Sequence, residues 1–442
     1  MEKTINLKKY RSYIERSDFI NKSGRVNRII GLVMEGNGPA APVGSLCTVK
    51  PGGGRPSVEA QVVGFRDNRT LLMPLGDMFG IEPGSVIESK DNYPSLNVTE
   101  ALIGRIINSQ GQPLDGKGPI PMGTYYPLMG QPINPMERRR VREPLDLGVR
   151  SINGLLSCAR GQRVGIMAGT GVGKSVLLGM IARNTNADVN VIALVGERGR
   201  EVREFIDENL GEEGLKRSVV IVATSDESPL SRLRGALTAT TVAEFFRDQG
   251  NNVMLMMDSV TRFAQAQREI GLSIGEPPAT RGYTPSVFST LSRLLERAGT
   301  SAAEGSITGL YTVLVEGDDL NEPISDAVRA ILDGHIALSR DLAAHNHFPA
   351  IDVLQSVSRL MIEVVTKEHH ERSMKLKDLV ATYKEAEDLI NIGAYTKGAN
   401  PKIDVAISKM DAINQYLRQG IMETCSFEDS VNQLNAIIAD VK

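Results

Sequence analysis

The stretch Met167–Ser175, MAGTGVGKS, concentrates more usable chemistry than any other part of the chain. Gly169, Gly171 and Gly173 lack a β-carbon, so backbone N–H groups there can close around a phosphate chain. Thr170 and Val172 fill the positions between the glycines, and Val176 opens the segment that follows. Lys174 is spaced to reach β- and γ-phosphates, and the Ser175 hydroxyl is spaced to ligate Mg²⁺. The strict pattern GxxxxGK[ST] asks for glycine at 168, where this chain has Ala168, so only the looser form with alanine matches. The competing reading is a coincidental turn. Context decides against it, because the apolar run Arg163–Met167 precedes the loop and the helix-like Val176–Arg183 follows it. A strand, a glycine loop and a helix N-terminus together make an anion cradle.

Two acids extend that chemistry. Asp258 closes the hydrophobic run VMLMMD, an arrangement that holds Mg²⁺ directly or through water; its plainer reading is a helix cap or an ion-pair residue. Glu197 follows VIALVG and opens ERGREVREF. A carboxylate just past a strand can polarise a water for attack on a γ-phosphate, but Glu197 can equally pair with Arg198 or Arg200.

These groups need a scaffold that brings strand ends together. The apolar runs Val189–Val195, Val219–Ala223, Val253–Met257 and Thr308–Val315 read as buried strands of a parallel sheet. Helix-like segments alternate with them, including Pro229–Arg247 closed by Gly250 and Pro285–Ala298 closed by Gly299. The pattern predicts an α/β core of the RecA-like phosphate-loop kind, with ligands at the carboxyl ends of its strands. Ahead of it, residues 24–96 carry short β-rich runs (Val26–Met34, Ser57–Phe65, Thr70–Pro74, Ser85–Ser89) with Pro51–Gly54 as a turn, which predicts a small β-barrel or sandwich. A Gly/Pro-rich connector spans Asn97–Arg150 and includes the basic cluster Arg138–Arg142, either an anion site or a solvated or intersubunit patch. From residue 366 the pattern turns helical, with Leu376, Leu379, Val380, Tyr383, Leu389 and Ile390 on one face. The expected domains are 1–23, 24–96, 97–365 and 366–442.

Composition narrows the function. The 442 residues carry a formal charge of −3, no Trp and 5% aromatic residues, which argues against a nucleic-acid partner. Cys47, Cys158 and Cys425 are far apart and odd in number, so reduced thiols are expected rather than a disulfide frame. His345, His347 and the pair His369–His370 lack a third ligand nearby, so no metal site is expected there. No apolar run is long enough to span a membrane, so a cytoplasmic protein is expected. Residues 1–20 space apolar side chains helically against a basic face, consistent with a terminal helix that is partly frayed or packs on its own domain, or with a docking helix for a partner or an acidic lipid surface.

Beyond these readings, long ordered strings resemble a known family. They are Asp146–Ser175, ALVGERGREVREF (Ala193–Phe205), MDSVTRFAQAQREI (Met257–Ile270), Gly275–Gly299, Val315–Ile336 and SVSR (Ser356–Arg359). Residues 24–420 resemble the catalytic subunits of rotary-type ATPases, most of all the flagellar type III export ATPases, whose tail Ile392–Ile407 resembles. The resemblance implies a β-barrel, a central ATPase domain and a C-terminal helical domain in a homo-hexameric ring, with ATP and Mg²⁺ as cofactors. It implies that Lys174, Ser175 and Asp258 sit at the phosphate and magnesium positions and that Glu197 is the catalytic carboxylate. Arg198 and Arg262 match arginines on the γ-phosphate side, Phe348 an aromatic that stacks on adenine, and Arg359 a finger donated by the neighbouring subunit. Implied partners are a stator-like regulatory protein on the N-terminal helix, a stalk-like protein in the ring centre, the export gate and chaperone–cargo complexes. The implied location is the cytoplasmic side of the inner membrane. The alternatives are a virulence injectisome ATPase, a ring-shaped nucleic-acid translocase and a non-catalytic ring subunit.

Overall fold

The computed structural model describes residues 22–90, 93–315, 317 and 319–441, so the segment 1–20 lies outside it. The described residues form two compact units that divide between Pro94 and Ser95, with Ser273–Gly275 counted in the first.

In the first unit, alternating apolar side chains build six antiparallel strands: β1 (Ser23–Ile30), β2 (Val33–Asn37), β3 (Leu46–Lys50), β4 (Val58–Arg66), β5 (Arg69–Pro74) and β6 (Val86–Ser89). They run in the order β1-β2-β5-β4-β3-β6, and β6 pairs with β1 to close a barrel. Closure removes the exposed edges that invite aggregation. Val26, Met34, Val49, Val62, Leu72 and Ile87 fill the interior. The run Val26–Met34, read above as one strand, is two. Gly31 takes φ 55°, which strand residues do not adopt, and the chain folds back so that Ile30 faces Val33.

The second unit is built on a sheet whose main strands are β7 (Ile106–Asn108), β8 (Arg163–Ala168), β9 (Val189–Val195), β10 (Ser218–Ala223), β11 (Asn252–Asp258), β12 (Ser306–Leu314), β13 (Gly334–Leu338) and β14 (Ile351–Ser358). Their order is β14-β13-β8-β12-β11-β9-β10-β7. Every neighbouring pair along that order is parallel except β13 with β14. Strands β9 and β10 are buried along their whole length, which is why they read as continuous apolar runs rather than alternating ones. The edge strand β7 comes from the connector, where three residues are too few to show a period.

Helices α1 (Lys174–Asn184), α2 (Pro229–Asp248) and α3 (Val260–Ile274) follow β8, β10 and β11, and α4 (Pro285–Glu296) follows α3. The Ser228 hydroxyl caps α2 by accepting from the Ser231 amide, and Pro229 fits the first turn, where no N–H is needed. Helix α4 stops at Glu296, short of the expected Ala298. The Arg138 guanidinium takes up the carbonyls of Glu296 and Ala298 (2.8 Å to the latter), satisfying acceptors that a helix end leaves open.

The C-terminal region is helical: α5 (Lys367–Asn391), α6 (Pro401–Leu417) and α7 (Phe427–Ile438), each started by a side-chain cap from Thr366, Asn400 or Ser426. Leu376 and Leu379 are buried in the core, and Val380 and Tyr383 pack against it. Leu389 keeps the helical spacing of that face but is exposed, and Ala386 is the last buried residue of α5, because the helix runs on past the core it leans against. Arg150 ties these helices to the sheet domain through the carbonyls of Tyr416 (2.8 Å) and Arg418 (2.6 Å). No helix among the described residues is long and apolar enough to cross a membrane.

Candidate active site

Parallel register assembles the site. Ala168 pairs with Leu314, Met257 with Tyr311 and Leu194 with Asp258, so β8 and β12 end level and β11 and β9 end within two residues of them. The glycine loop, Asp258 and Glu197 therefore emerge side by side at the carboxyl edge, although 84 residues separate Lys174 from Asp258.

The loop leads into α1 through Gly173, whose φ of 86° a side chain would strain. No side chain caps α1, which leaves its first N–H groups facing outward from the helix end. Ala168, Gly169 and Val172 are buried and hold the loop to the core. Thr170 and Gly171 are exposed at its tip, and Gly173, Ser175 and Val176 are half-buried at the mouth. Alanine at 168 fits because it is the last residue of β8, where it needs no unusual conformation.

Lys174 points back across the strand ends. Its ammonium bonds directly to Asp258 Oδ1 and lies 3.5 Å from Glu197 Oε1. Burial works against that charge, but the carboxylates of Asp258 and Glu197 outweigh it, and the lysine pKa is raised. Asp258 also accepts from the Thr312 hydroxyl at 2.7 Å, which fixes the carboxylate. Glu197 is anchored through its backbone, its carbonyl accepting from Ser225 N at 3.0 Å. Burial pushes its carboxyl up to about 7, helped by the nearby Asp258 and by a hydrogen bond shared with Glu201, and opposed by Lys174.

The remaining candidates divide into near and far. Arg262 stacks its stem over Gly196, where any β-carbon would come within 2.7 Å of it. That side chain donates to Gln265 at 2.9 Å, and its buried Nε has no hydrogen-bond partner among the described residues. Arg198 turns outward to Glu201 at 3.2 Å, with 80% of its side chain exposed. Phe348 lies beside Gly173, 3.5 Å from the position of a β-carbon there, and lines a cavity of about 930 Å³ with Arg150, Tyr416 and Gln419. Gln419 N donates to the Phe348 carbonyl at 3.0 Å, so the C-terminal region fixes this wall. Arg359 is elsewhere. It follows β14, which runs against β13, so Ser358 sits opposite Gly334 at the amino edge of the sheet. Its amide donates to Asp333 O and its guanidinium to Arg329 O (3.2 Å).

A glycine loop, an uncapped helix N-terminus, a buried lysine and two carboxylates form a donor and acceptor set suited to a nucleoside triphosphate with Mg²⁺. Comparison with known proteins agrees. Residues 148–358 match the nucleotide-binding domain of the ATP synthase alpha/beta family, 26–90 its beta-barrel domain, and 365–436 the C-terminal domain of T3SS EscN ATPases. The flagellum-specific ATP synthase of Bacillus subtilis is 53% identical over 429 residues, 96% of this chain and 97% of that protein. The chain belongs to this ATPase family. Its cofactors are accordingly ATP and Mg²⁺. Among solved structures, the assembled ATPase EscN of the enteropathogenic E. coli type III secretion system superposes with a TM-score of 0.89 at 44% identity, over 94% of this chain and 100% of that one. EscN in complex with its central stalk EscO gives a TM-score of 0.86 at the same identity and coverage.

Three contributors to this ATPase's site escaped sequence reasoning. Thr312 holds Asp258, and its hydroxyl is one of several in a mostly apolar run, with nothing to single it out. Glu201 shares a hydrogen bond with Glu197 from the first turn of the helix Gly199–Glu204 that follows it. Gln419 buttresses Phe348 from 71 residues downstream, a contact no local pattern encodes.

Proposed function

We propose that this ATPase hydrolyses ATP to energise export of flagellar proteins through a type III apparatus, working as a homo-hexameric ring. The observation that carries the catalytic reading is Lys174 bridging Asp258 and Glu197 beside the glycine loop. Lys174 binds the β- and γ-phosphates, residues 168–176 cradle the phosphate chain, and Ser175 with Asp258 holds Mg²⁺. Mg²⁺, when bound, supplies positive charge against the phosphate oxygens. Glu197 accepts a proton from the attacking water as that oxygen bonds the terminal phosphorus and ADP leaves. Its raised pKa keeps it basic enough for that transfer near neutrality. Arg262 and, more peripherally, Arg198 serve the γ-phosphate side, and Phe348 stacks on adenine. Arg359 serves the neighbouring subunit's site.

The flagellar assignment follows the names of the similar relatives; likeness to EscN keeps an injectisome role as the second reading. The central stalk in the EscN–EscO complex supports a stalk-like partner for this chain. A stator-like protein on residues 1–23, the export gate and chaperone–cargo complexes complete the proposed partners, on the cytoplasmic side of the inner membrane.

The purified chain should hydrolyse ATP only with Mg²⁺, and Lys174→Ala should abolish turnover and weaken nucleotide binding. Wild-type turnover in that variant removes the site assignment. Restored flagellar export when the chain is expressed in a strain lacking its own export ATPase separates the flagellar reading from the injectisome one.

A further inference from the structure

The basic run Arg138–Arg142 plays no part in the site above, and the structure divides it. Arg138 turns inward to the carbonyls that end α4. Arg139 is tied by its backbone, whose carbonyl accepts from Thr300 Oγ1 at 2.6 Å, and its Nε donates to Ser301 O at 3.3 Å. Arg140 and Arg142 are exposed and, among the described residues, make no hydrogen bond or ion pair. Both line a cavity of about 370 Å³, with room on the order of ten water molecules.

Its place in the fold is defined. The floor is formed by Asn252 and Ser306, the first residues of β11 and β12. The cavity thus opens at the amino edge of the sheet, the edge opposite the phosphate loop. Arg160 completes the wall; it pairs with Glu143 at 3.1 Å, while its buried Nε has no hydrogen-bond partner among the described residues. Four guanidiniums, from Arg139, Arg140, Arg142 and Arg160, thus face two carboxylates, Glu143 and Glu304. Behind them, burial and the nearby Arg163 and Arg247 depress Arg138, although Glu296 counters the effect. Like charges gathered in a concave, partly desolvated site raise the local potential and draw anions.

We propose that this cavity is a second anion site, which takes a ligand carrying two or more linked phosphates. Guanidinium forks match phosphoryl oxygens two at a time, and Arg140 and Arg142, two residues apart, can each engage a separate phosphate. Linked phosphates offer several oxyanions inside one small cavity. An acidic protein surface offers single carboxylates spread over a wider area, so it matches this small concave site less well.

Calorimetric titration of the full-length Lys174→Ala chain with tripolyphosphate, compared with the same chain also carrying Arg140→Ala and Arg142→Ala, tests the site. The arginine changes should weaken binding about tenfold or more without altering the melting temperature, because both side chains are exposed. Arg140→Lys with Arg142→Lys keeps charge and loses the fork, and should fall between the two. If Lys174→Ala does not fold, the wild-type chain should show two tripolyphosphate sites and the arginine variant one. Repeating the titration with ADP separates the sources: equal dependence on the arginines identifies a nucleotide tail, and dependence for tripolyphosphate alone identifies a free polyphosphate. Equal tripolyphosphate binding with and without Arg140 and Arg142, or none in either chain, overturns the proposal. So does loss of assembly by light scattering with tripolyphosphate affinity unchanged, which would assign the cluster to a contact between copies.

Discussion

Arg359 and Lys174 stand at opposite edges of one sheet. The ladder places Ser358 against Gly334 at the amino edge and Leu338 against Ala168 at the carboxyl edge. Four residue steps along β13 separate those levels, roughly 13 Å at about 3.3 Å per residue. Arg359 is exposed, with its guanidinium on the Arg329 carbonyl and no carboxylate paired to it among the described residues. A cation held free at one edge, with a phosphate loop at the other, suits head-to-tail assembly in which each copy completes the next.

That arrangement gives a complementation test. Arg359→Ala should bind ATP and assemble yet turn over slowly, since arginines supplied in trans typically contribute about 10³–10⁵ in rate. Lys174→Ala should be inactive alone. Mixed rings contain interfaces with an intact loop facing an intact arginine, so mixing the two should restore part of the activity. A mixture as inactive as its parents, with co-assembly demonstrated, would exclude action across the interface.

The proposed stacking of Phe348 on adenine gives a second, independent test. The ring flanks Gly173 and forms one wall of the 930 Å³ cavity. Aromatic stacking on a base contributes about 1–3 kcal/mol, so Phe348→Ala should raise KM for ATP roughly five- to hundredfold with kcat little changed. Phe348→Tyr should stay near wild type. A fall in kcat at constant KM would assign Phe348 a different role.

The sheet core and the loop were legible because their signals are local. Buried parallel strands read as unbroken apolar runs, and a glycine loop between strand and helix has a fixed spacing. Asp258 and Glu197 were legible as strand-end acids, but what fixes them was not. The Lys174–Asp258 bond depends on sheet register across 84 residues, and the Thr312–Asp258 bond spans 54. The hairpin at Gly31 was hidden because Val26–Met34 stays β-rich on both sides of the turn. Likewise, Leu389 keeps the helical period of α5 after the surface that would bury it has ended. Periodicity reports which residues share a face, not what that face meets.

Arg297 tests the packing that holds the connector to the sheet domain. With only 3% of its side chain exposed, it grips Glu244 through two bonds (2.8 and 2.6 Å), the Leu128 carbonyl (2.8 Å) and Thr241 (3.0 Å). Arg297→Met leaves Glu244 buried without its cation, which should cost about 3–5 kcal/mol, read as a lower urea midpoint. Arg297→Lys should recover only part, because an ammonium cannot make the paired bonds to the carboxylate and still reach Leu128. A midpoint unchanged in Arg297→Met would mean that Glu244 is solvated or neutral.

Glu197 predicts the pH dependence. Burial raises its carboxyl to about 7, with contributions from Asp258 and the hydrogen bond to Glu201. In the proposed mechanism the ionised form accepts the proton, so activity should fall as pH drops below about 7 and level off above it. An unshifted glutamate, near 4.3, would leave the profile flat across that range. The acid limb belongs in kcat/KM, which reports groups of the free enzyme. Glu197→Gln should bind ATP while turnover falls by about 10²–10⁴. Glu201→Gln distinguishes environment from identity. It removes a neighbouring negative charge and leaves an amide able to donate to the Glu197 carboxylate, and both changes favour ionisation. The limb should therefore move to lower pH with the plateau rate retained. A limb that moves upward, or stays in place while the plateau collapses, would show that Glu197 is not the group being titrated.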